Sequence, residues 1–388
     1  MIKKDTIQDK KRQFFIYGYY GYKNTGDDAM LYALLNEINK HFPNDVFVVC
    51  SATESIEIPL EMRKKVKIVK PKIPTFLFEL KRSSFFIVGG GTFIFDYSKS
   101  KLINISNLLI YYLRILLFAK MCCKKIIFLS IGVGDISTRL GRYIGKKIYE
   151  TTDYITVRDS LSLQLLNEMH IKNKVKLSFD LAAFLPTFSS KTKFQHDGKI
   201  IGVSILPFYL FFRDNNKNDI IMVDNIAKSL EIWLGENTKN TVYLFPLQGK
   251  QERSSRNDED ITKLLYERLK HPGRVKLFSY HPDPRRIISE MEKCDAILGM
   301  RYHASLFACL TKKPLIMIDY SIKCTALAKD FQIPKNATIS PNEILEGKLD
   351  IYIKNLLKNP EDFLSKIPAE LLQKRNFLFD EEMLEALS

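Results

Sequence analysis

Two series of short β-rich runs, separated by longer stretches with helical spacing, constrain this chain more than any other feature. The first reads FFIYG from Phe14, VFVVC from Val46, VKIV from Val66, FFIVGGG from Phe85, KIIFLSIG from Lys125 and YITVRD from Tyr154. The second reads IIGVSI from Ile200, TVYLFP from Thr241, VKLFSY from Val275, AILGM from Ala296 and PLIMIDY from Pro314. Strands alternating with helices build parallel sheets, because a parallel partner is reached only through a long crossover. Two such series in 388 residues predict an α/β chain of two doubly wound, Rossmann-like lobes facing a central cleft. The polar stretch 189–199, SSKTKFQHDGK, is the expected linker. The division is then 1–190, 191–335 and a helical tail 336–388, broken by Pro341, Pro360 and Pro368 and expected to pack back across the lobes.

Charge narrows the partners. Lys plus Arg exceed Asp plus Glu by 59 to 44, a net +15, which favours phosphorylated metabolites, nucleic acid or an acidic membrane face. Basic runs such as KKIIF and LTKKP lack interleaved aromatics or a zinc motif, so nucleic acid is not expected as the main partner. The cysteines Cys50, Cys122, Cys123, Cys294, Cys309 and Cys324 form no C-x-x-C pair and read as reduced thiols. The start, MIKKDTIQDKKRQFF, lacks the apolar core of a secretory signal, so a cytoplasmic location is expected. Asn104, Asn107 and Arg114 interrupt the apolar stretch Leu102 to Ala119, which is read as a buried helix or one touching an anionic membrane surface.

Chemistry concentrates where strands end in glycine. FFIYG runs into YYGYKNTGDDAM, in which Asn24 and Asp27 stand at a helix start; Asp27 is either an N-cap or part of a substrate loop. Gly89, Gly90 and Gly91 end the next such strand, where glycine lets a ligand approach the main chain, and SIGVG at 130–134 repeats the pattern. Arg158 follows another strand and either forks onto an anion or pairs with Asp159. The sharpest cluster is GMRYHASLFACLTKKPLIMIDYSIK: Arg301 and His303 sit between a strand and a helix start, and Lys323 follows the next strand. A permanent cation, an imidazole and a helix N-terminus together suit a dianionic phosphate. The run Asp258-Glu259-Asp260 resembles a metal-binding pair of acids but reads as the acidic start of a helix, and no metal or resident cofactor is expected.

The ordered motifs GYYGYKNTGDDAM, GGGTFIFD, SIGVG, ITVRDSLS, FDLAAF, IGVSI, LFPLQ and GMRYHASLFACLTKKPLIMIDYSIK resemble the polysaccharide pyruvyl transferase family, from about Gly18 to Phe331. The resemblance implies a GT-B-like arrangement of the two lobes. It also implies transfer of the pyruvyl group of phosphoenolpyruvate, a co-substrate, to two hydroxyls of a sugar, forming a cyclic ketal and releasing phosphate. The implied acceptor is a cell-surface glycan or its lipid-linked precursor, with acceptor contacts in 1–190 and the donor in 191–335. Carried onto this sequence, the family's R-x-H-A motif marks Arg301 and His303 as catalytic, with His303 binding phosphate as imidazolium or acting as an acid. Its V-R-D segment adds Arg158. Lys323 would join Arg301 on the donor's anions, while Asn24, Asp27 and Gly89 to Gly91 would shape the acceptor side.

The chain departs from the family pattern in three places. No Arg stands close after GVS, the nearest being Arg213; FDLAAF keeps Asp180 without a following proline; and Glu252, Asp258 and Asp260 compete as the acid after LFPLQ. Two rival functions are compatible with the same features. A nucleotide-sugar glycosyltransferase would be protected by a nucleotide sugar and not by phosphoenolpyruvate. A non-catalytic basic protein would bind anionic surfaces in a salt-sensitive way, indifferent to Arg301→Ala or His303→Ala.

Overall fold

Strands buried on both faces read as near-continuous apolar runs, and the observed sheets follow from that. The structure is a computed structural model describing residues 11–92, 94, 103–122, 125–134, 136, 138–186, 198–213, 215–251, 257–374 and 380–387. Seven parallel strands make the first sheet: β1 (Gln13–Tyr17), β2 (Val46–Cys50), β3 (Val66–Val69), β4 (Phe85–Gly89), β5 (Lys125–Ile131), β6 (Tyr154–Val157) and β7 (Val175–Leu177), in the order β3-β2-β1-β4-β5-β6-β7. Phe14 pairs in register with Phe47 on one side and Phe85 on the other, and the three rings stack at 5.3 and 4.7 Å. Six parallel strands make the second: β8 (Ile200–Ser204), β9 (Thr241–Leu244), β10 (Val275–Leu277), β11 (Ala296–Gly299), β12 (Leu315–Ile318) and β13 (Thr338–Ile339), in the order β10-β9-β8-β11-β12-β13.

In both sheets the order of strand addition reverses once, between β1 and β4 and between β8 and β11. Those reversals open crevices at the carboxyl ends of the strands, where ligands of doubly wound sheets bind. The helix Thr25–His41 packs against the short turn Leu181–Phe184 and against Pro284–Glu292 of the second lobe. Its buried Leu31, Leu34 and Leu35 belong to a core that runs without a break into the second lobe through Ile287, Ala304 and Phe307. The helices Ile73–Arg82, Ile103–Cys122 and Arg139–Glu150 contribute to a separate core of the first lobe.

Two expectations change here. Strands β7 and β13, three and two residues long, add to the eleven runs legible in the sequence. The segment 336–388 is not wholly helical, because β13 completes the second sheet. It then returns to the first lobe, where Gln373 donates to the Ala183 carbonyl at 2.7 Å, and Asp380 accepts from Tyr154 at 3.0 Å and pairs with Lys176. The expected linker lies outside the described residues except for Gly198 and Lys199, as do Cys123 and Glu252. Cys50, Cys294, Cys309 and Cys324 are free and buried. No helix among the described residues is long and apolar enough to cross a membrane.

Candidate active site

The strand ends of both lobes border one cleft of about 1120 Å³, lined by Asn24, Asp27, Gly91, Arg158, Arg301, His303 and Lys323 among others. The lobes meet along its floor: Thr25 N–H donates to the Leu247 carbonyl, Gly249 N–H to that of Lys23, and Tyr280 Oη to Asp28 Oδ2 at 2.7 Å.

At the start of the Thr25–His41 helix, Asn24 is the N-cap: its Oδ1 accepts from Gly26 N–H at 3.0 Å and Asp27 N–H at 3.4 Å. That overturns the reading of Asp27 as the cap and leaves the Asp27 carboxylate without a hydrogen bond to any described residue. Burial raises it to about 6, against the pull of His303, Lys323 and Arg158. Asp28, next in sequence, is raised further, to about 8, because burial outweighs its bond from Tyr280. Gly26 is obligatory for a different reason from loop flexibility: a Cβ there would stand 1.9 Å from His303 Nδ1.

The second lobe supplies the cations. Arg301 ends the loop after β11 at the N-cap of the helix Tyr302–Leu310, and its guanidinium is held by the fully buried Asp258 and by Gln248 Oε1 at 2.9 Å. Asp258 makes no side-chain cap bond and is the carboxylate that orients Arg301, accepting also from Gln248 N–H at 3.0 Å. Asp260, one of its sequence rivals, instead accepts from Asn257 at 3.0 Å. Lys323, after β12, forms no ion pair among the described residues and lies 5.9 Å from the centroid of the Tyr320 ring. Burial, helped by Arg158 and Arg301 and opposed by Cys324 and Asp27, lowers its ammonium to about 8.

Arg158 forks between carboxylates in the first lobe. It reaches Asp180 at 3.1 Å, Asp159 at 3.4 Å and Thr92 Oγ1 at 3.3 Å, with its guanidinium 4.4 Å from the centroid of the Tyr302 ring. The pairing with Asp159 foreseen in the sequence is present, and the larger partner is Asp180. Burial works against the Asp180 charge, but His303, Arg158 and the Ala182 N–H outweigh it and bring its pKa down to about 2. His303 Nε2 lies 3.7 Å from Asp180 Oδ1 and has no hydrogen-bond partner among the described residues. A fixed anion thus stands behind the imidazole.

The glycine loop is corrected in part. Gly91, at φ +76°, lines the cleft. Gly89 and Gly90 serve packing instead: a Cβ on either would meet Leu34 and Tyr20 or Met30 Sδ, and the Gly89 carbonyl accepts from Tyr20 Oη. Sequence reasoning missed the roles of Asp180 and Asp258, whose only local signal is a carboxylate in an otherwise apolar or turn segment. It also missed Tyr19 and Tyr22, which stack at 4.1 Å and 12° on the cleft wall.

A search of curated proteins returned no match. Among solved structures, the chain is similar to a UDP-GlcNAc 2-epimerase from Neisseria meningitidis bound to UDP-GlcNAc, at 12% identity and TM-score 0.57 over 96% of this chain and 100% of that one. Similar likenesses are to the Methanocaldococcus jannaschii UDP-GlcNAc 2-epimerase in complex with UDP-GlcNAc and UDP (11% identity, TM-score 0.57, 94% and 98% covered) and the S. aureus MnaA-UDP co-structure (11%, 0.56, 94% and 91%). At such identities they establish the fold, two parallel-sheet Rossmann-like domains in the GT-B arrangement. The family comparison covers residues 24–322, well over half the sequence and spanning both sides of the cleft, and on that ground the chain belongs to the polysaccharide pyruvyl transferase family.

Proposed function

We propose that the cleft binds phosphoenolpyruvate and transfers its pyruvyl group to two hydroxyls of a sugar, producing a cyclic ketal and inorganic phosphate. One observation carries the reading: Lys323, which forms no ion pair among the described residues, lines the same cleft as Arg301, His303 and Asp27, whose carboxylate accepts no hydrogen bond from a described residue. The donor brings a phosphate and a carboxylate, which suit Lys323 and Arg301. Its methylene carbon needs a proton before C2 becomes electrophilic, and a carboxyl with a pKa of about 6 is suited to supply it. Donor charge nearby would raise Asp27 further and keep the acid form populated near neutrality.

Asp27 gives its proton to C3, and the first sugar hydroxyl attacks C2 while His303, backed by Asp180, takes the hydroxyl proton. His303 returns that proton to the departing phosphate. The second hydroxyl then closes the ketal at C2 and its proton restores Asp27. Arg158, held between carboxylates, acts by fixing Asp180 and Tyr302 around His303 rather than as a free anion fork. Tyr19 and Tyr22 offer a stacked aromatic wall for the acceptor's sugar ring. No resident cofactor enters this scheme.

The test is release of phosphate from phosphoenolpyruvate in the presence of glycan and lipid-linked acceptor fractions, with the ketal methyl followed by proton NMR. Phosphate release coupled to a new methyl signal, and lost in Asp27→Asn and His303→Ala, is the expected result. A second reading, a nucleotide-sugar glycosyltransferase, is favoured by the UDP complexes of the similar epimerases. Consumption of a UDP-sugar without use of phosphoenolpyruvate would select it.

A further inference from the structure

The helices Ile73–Arg82, Ile103–Cys122 and Arg139–Glu150 lie side by side on the first sheet, over a core separate from the one shared with the second lobe. Their inward residues are apolar as expected: Phe76, Leu80, Ile115, Leu116, Ile144 and Ile148 are buried. Their outward surface is apolar as well. Ile73, Phe78, Leu117, Met121, Leu140 and Tyr143 are exposed, Met121 to 84%. Large side chains recurring on three adjacent helices exceed the scattered apolar exposure normal for a soluble surface.

Cations are interleaved with them. Lys72, Lys81, Arg82, Arg114 and Arg139 are exposed and form no ion pair among the described residues. The acids of the same helices are withdrawn: Glu79 is buried against Lys67, and Glu150 is engaged by Lys146 and Lys147. A surface that is apolar and cationic together matches a bilayer with anionic headgroups, which accepts apolar side chains below the headgroup plane and cations within it. The cleft shares this margin. Pro71, which lines it, immediately precedes Lys72 at the first helix's start, and Gly134 lines it just before the third.

We propose that this three-helix face docks peripherally on an anionic lipid bilayer and holds the rim of the cleft at the membrane surface. The inference does not depend on which donor the cleft binds. Its test is co-sedimentation of the purified chain with phosphatidylglycerol/phosphatidylethanolamine vesicles, against pure phosphatidylcholine, at low and high salt. Binding to the anionic vesicles only, weakened by salt, is expected. The triple variant Arg82→Glu, Arg114→Glu, Arg139→Glu should lose affinity by on the order of a hundredfold, from about fivefold per cation removed. Leu117→Gln with Met121→Gln should weaken binding that persists at high salt. The same number of reversals elsewhere, Lys263→Glu, Lys354→Glu and Lys358→Glu, serves as the charge control, and unfolding temperatures confirm that all variants are folded. Equal losses in the control and face variants would overturn the proposal, since net charge alone would then drive binding. So would absence of vesicle binding, including the case in which the face variants instead dissolve a dimer and reveal a second copy as its occupant.

Discussion

One methyl group in place of a Cα hydrogen at Gly26 would disable the cleft. Gly26→Ala improves intrinsic helix propensity by about 1 kcal/mol, yet its Cβ would overlap the His303 ring. The expected outcome is a folded protein with turnover reduced by on the order of a hundredfold, as when a catalytic group is misplaced by about 1 Å, measured by phosphate release beside thermal unfolding. Asp258→Asn acts in the opposite way. It leaves Arg301 largely buried without its counter-ion and should cost about 3 kcal/mol or more of stability, read by denaturant unfolding. Arg301 and His303 were legible because a strand end and a helix start bracket them within three residues. Their supports were not: Asp258 is 43 residues from Arg301 in sequence, and Asp180 reaches His303 across the lobes. Such pairing exists only after two sheets have folded and met.

Among the elements, the Thr25–His41 helix joins the lobes and carries a pH dependence. Asp28 is raised from an ordinary 3.8 to about 8 in the folded state. A raised carboxyl stabilises the fold fully below its unfolded pKa, and that contribution is lost as pH rises through 4 towards 8. Asp28→Asn should therefore flatten the decline of stability over this window, by on the order of 1 kcal/mol per pH unit, with little change at pH 4. An unaltered slope in thermal unfolding from pH 4 to 8 would contradict the assignment. Eleven of the strands were legible from apolar runs bounded by turns, because strands covered on both faces admit few polar residues. The short strands β7 and β13 carry too few residues for a period, and β13 is placed by the sheet it completes rather than by its own pattern.

At the scale of the molecule, two sheets of the same winding aim their reversal points at one cleft, and the segment after β13 ties the second lobe back to the first through Gln373 and Asp380. The facing of the lobes was legible from their repetition; the outer three-helix face was foreshadowed only by the Leu102 to Ala119 stretch, since exposure depends on which helices adjoin. The charge gathered in the cleft is probed by calorimetric titration of the intact chain with phosphoenolpyruvate. Lys323→Met removes a cation that has no ion pair among the described residues, so loss of binding would not reflect loss of structure. Binding is expected at pH 7, weakening as pH rises through about 8 while Lys323 loses its proton, and roughly 10- to 100-fold weaker in Lys323→Met, as for a lost charged hydrogen bond. Binding that is insensitive to Lys323 and to pH in that window, or binding of UDP-sugars alone, would contradict the proposed function.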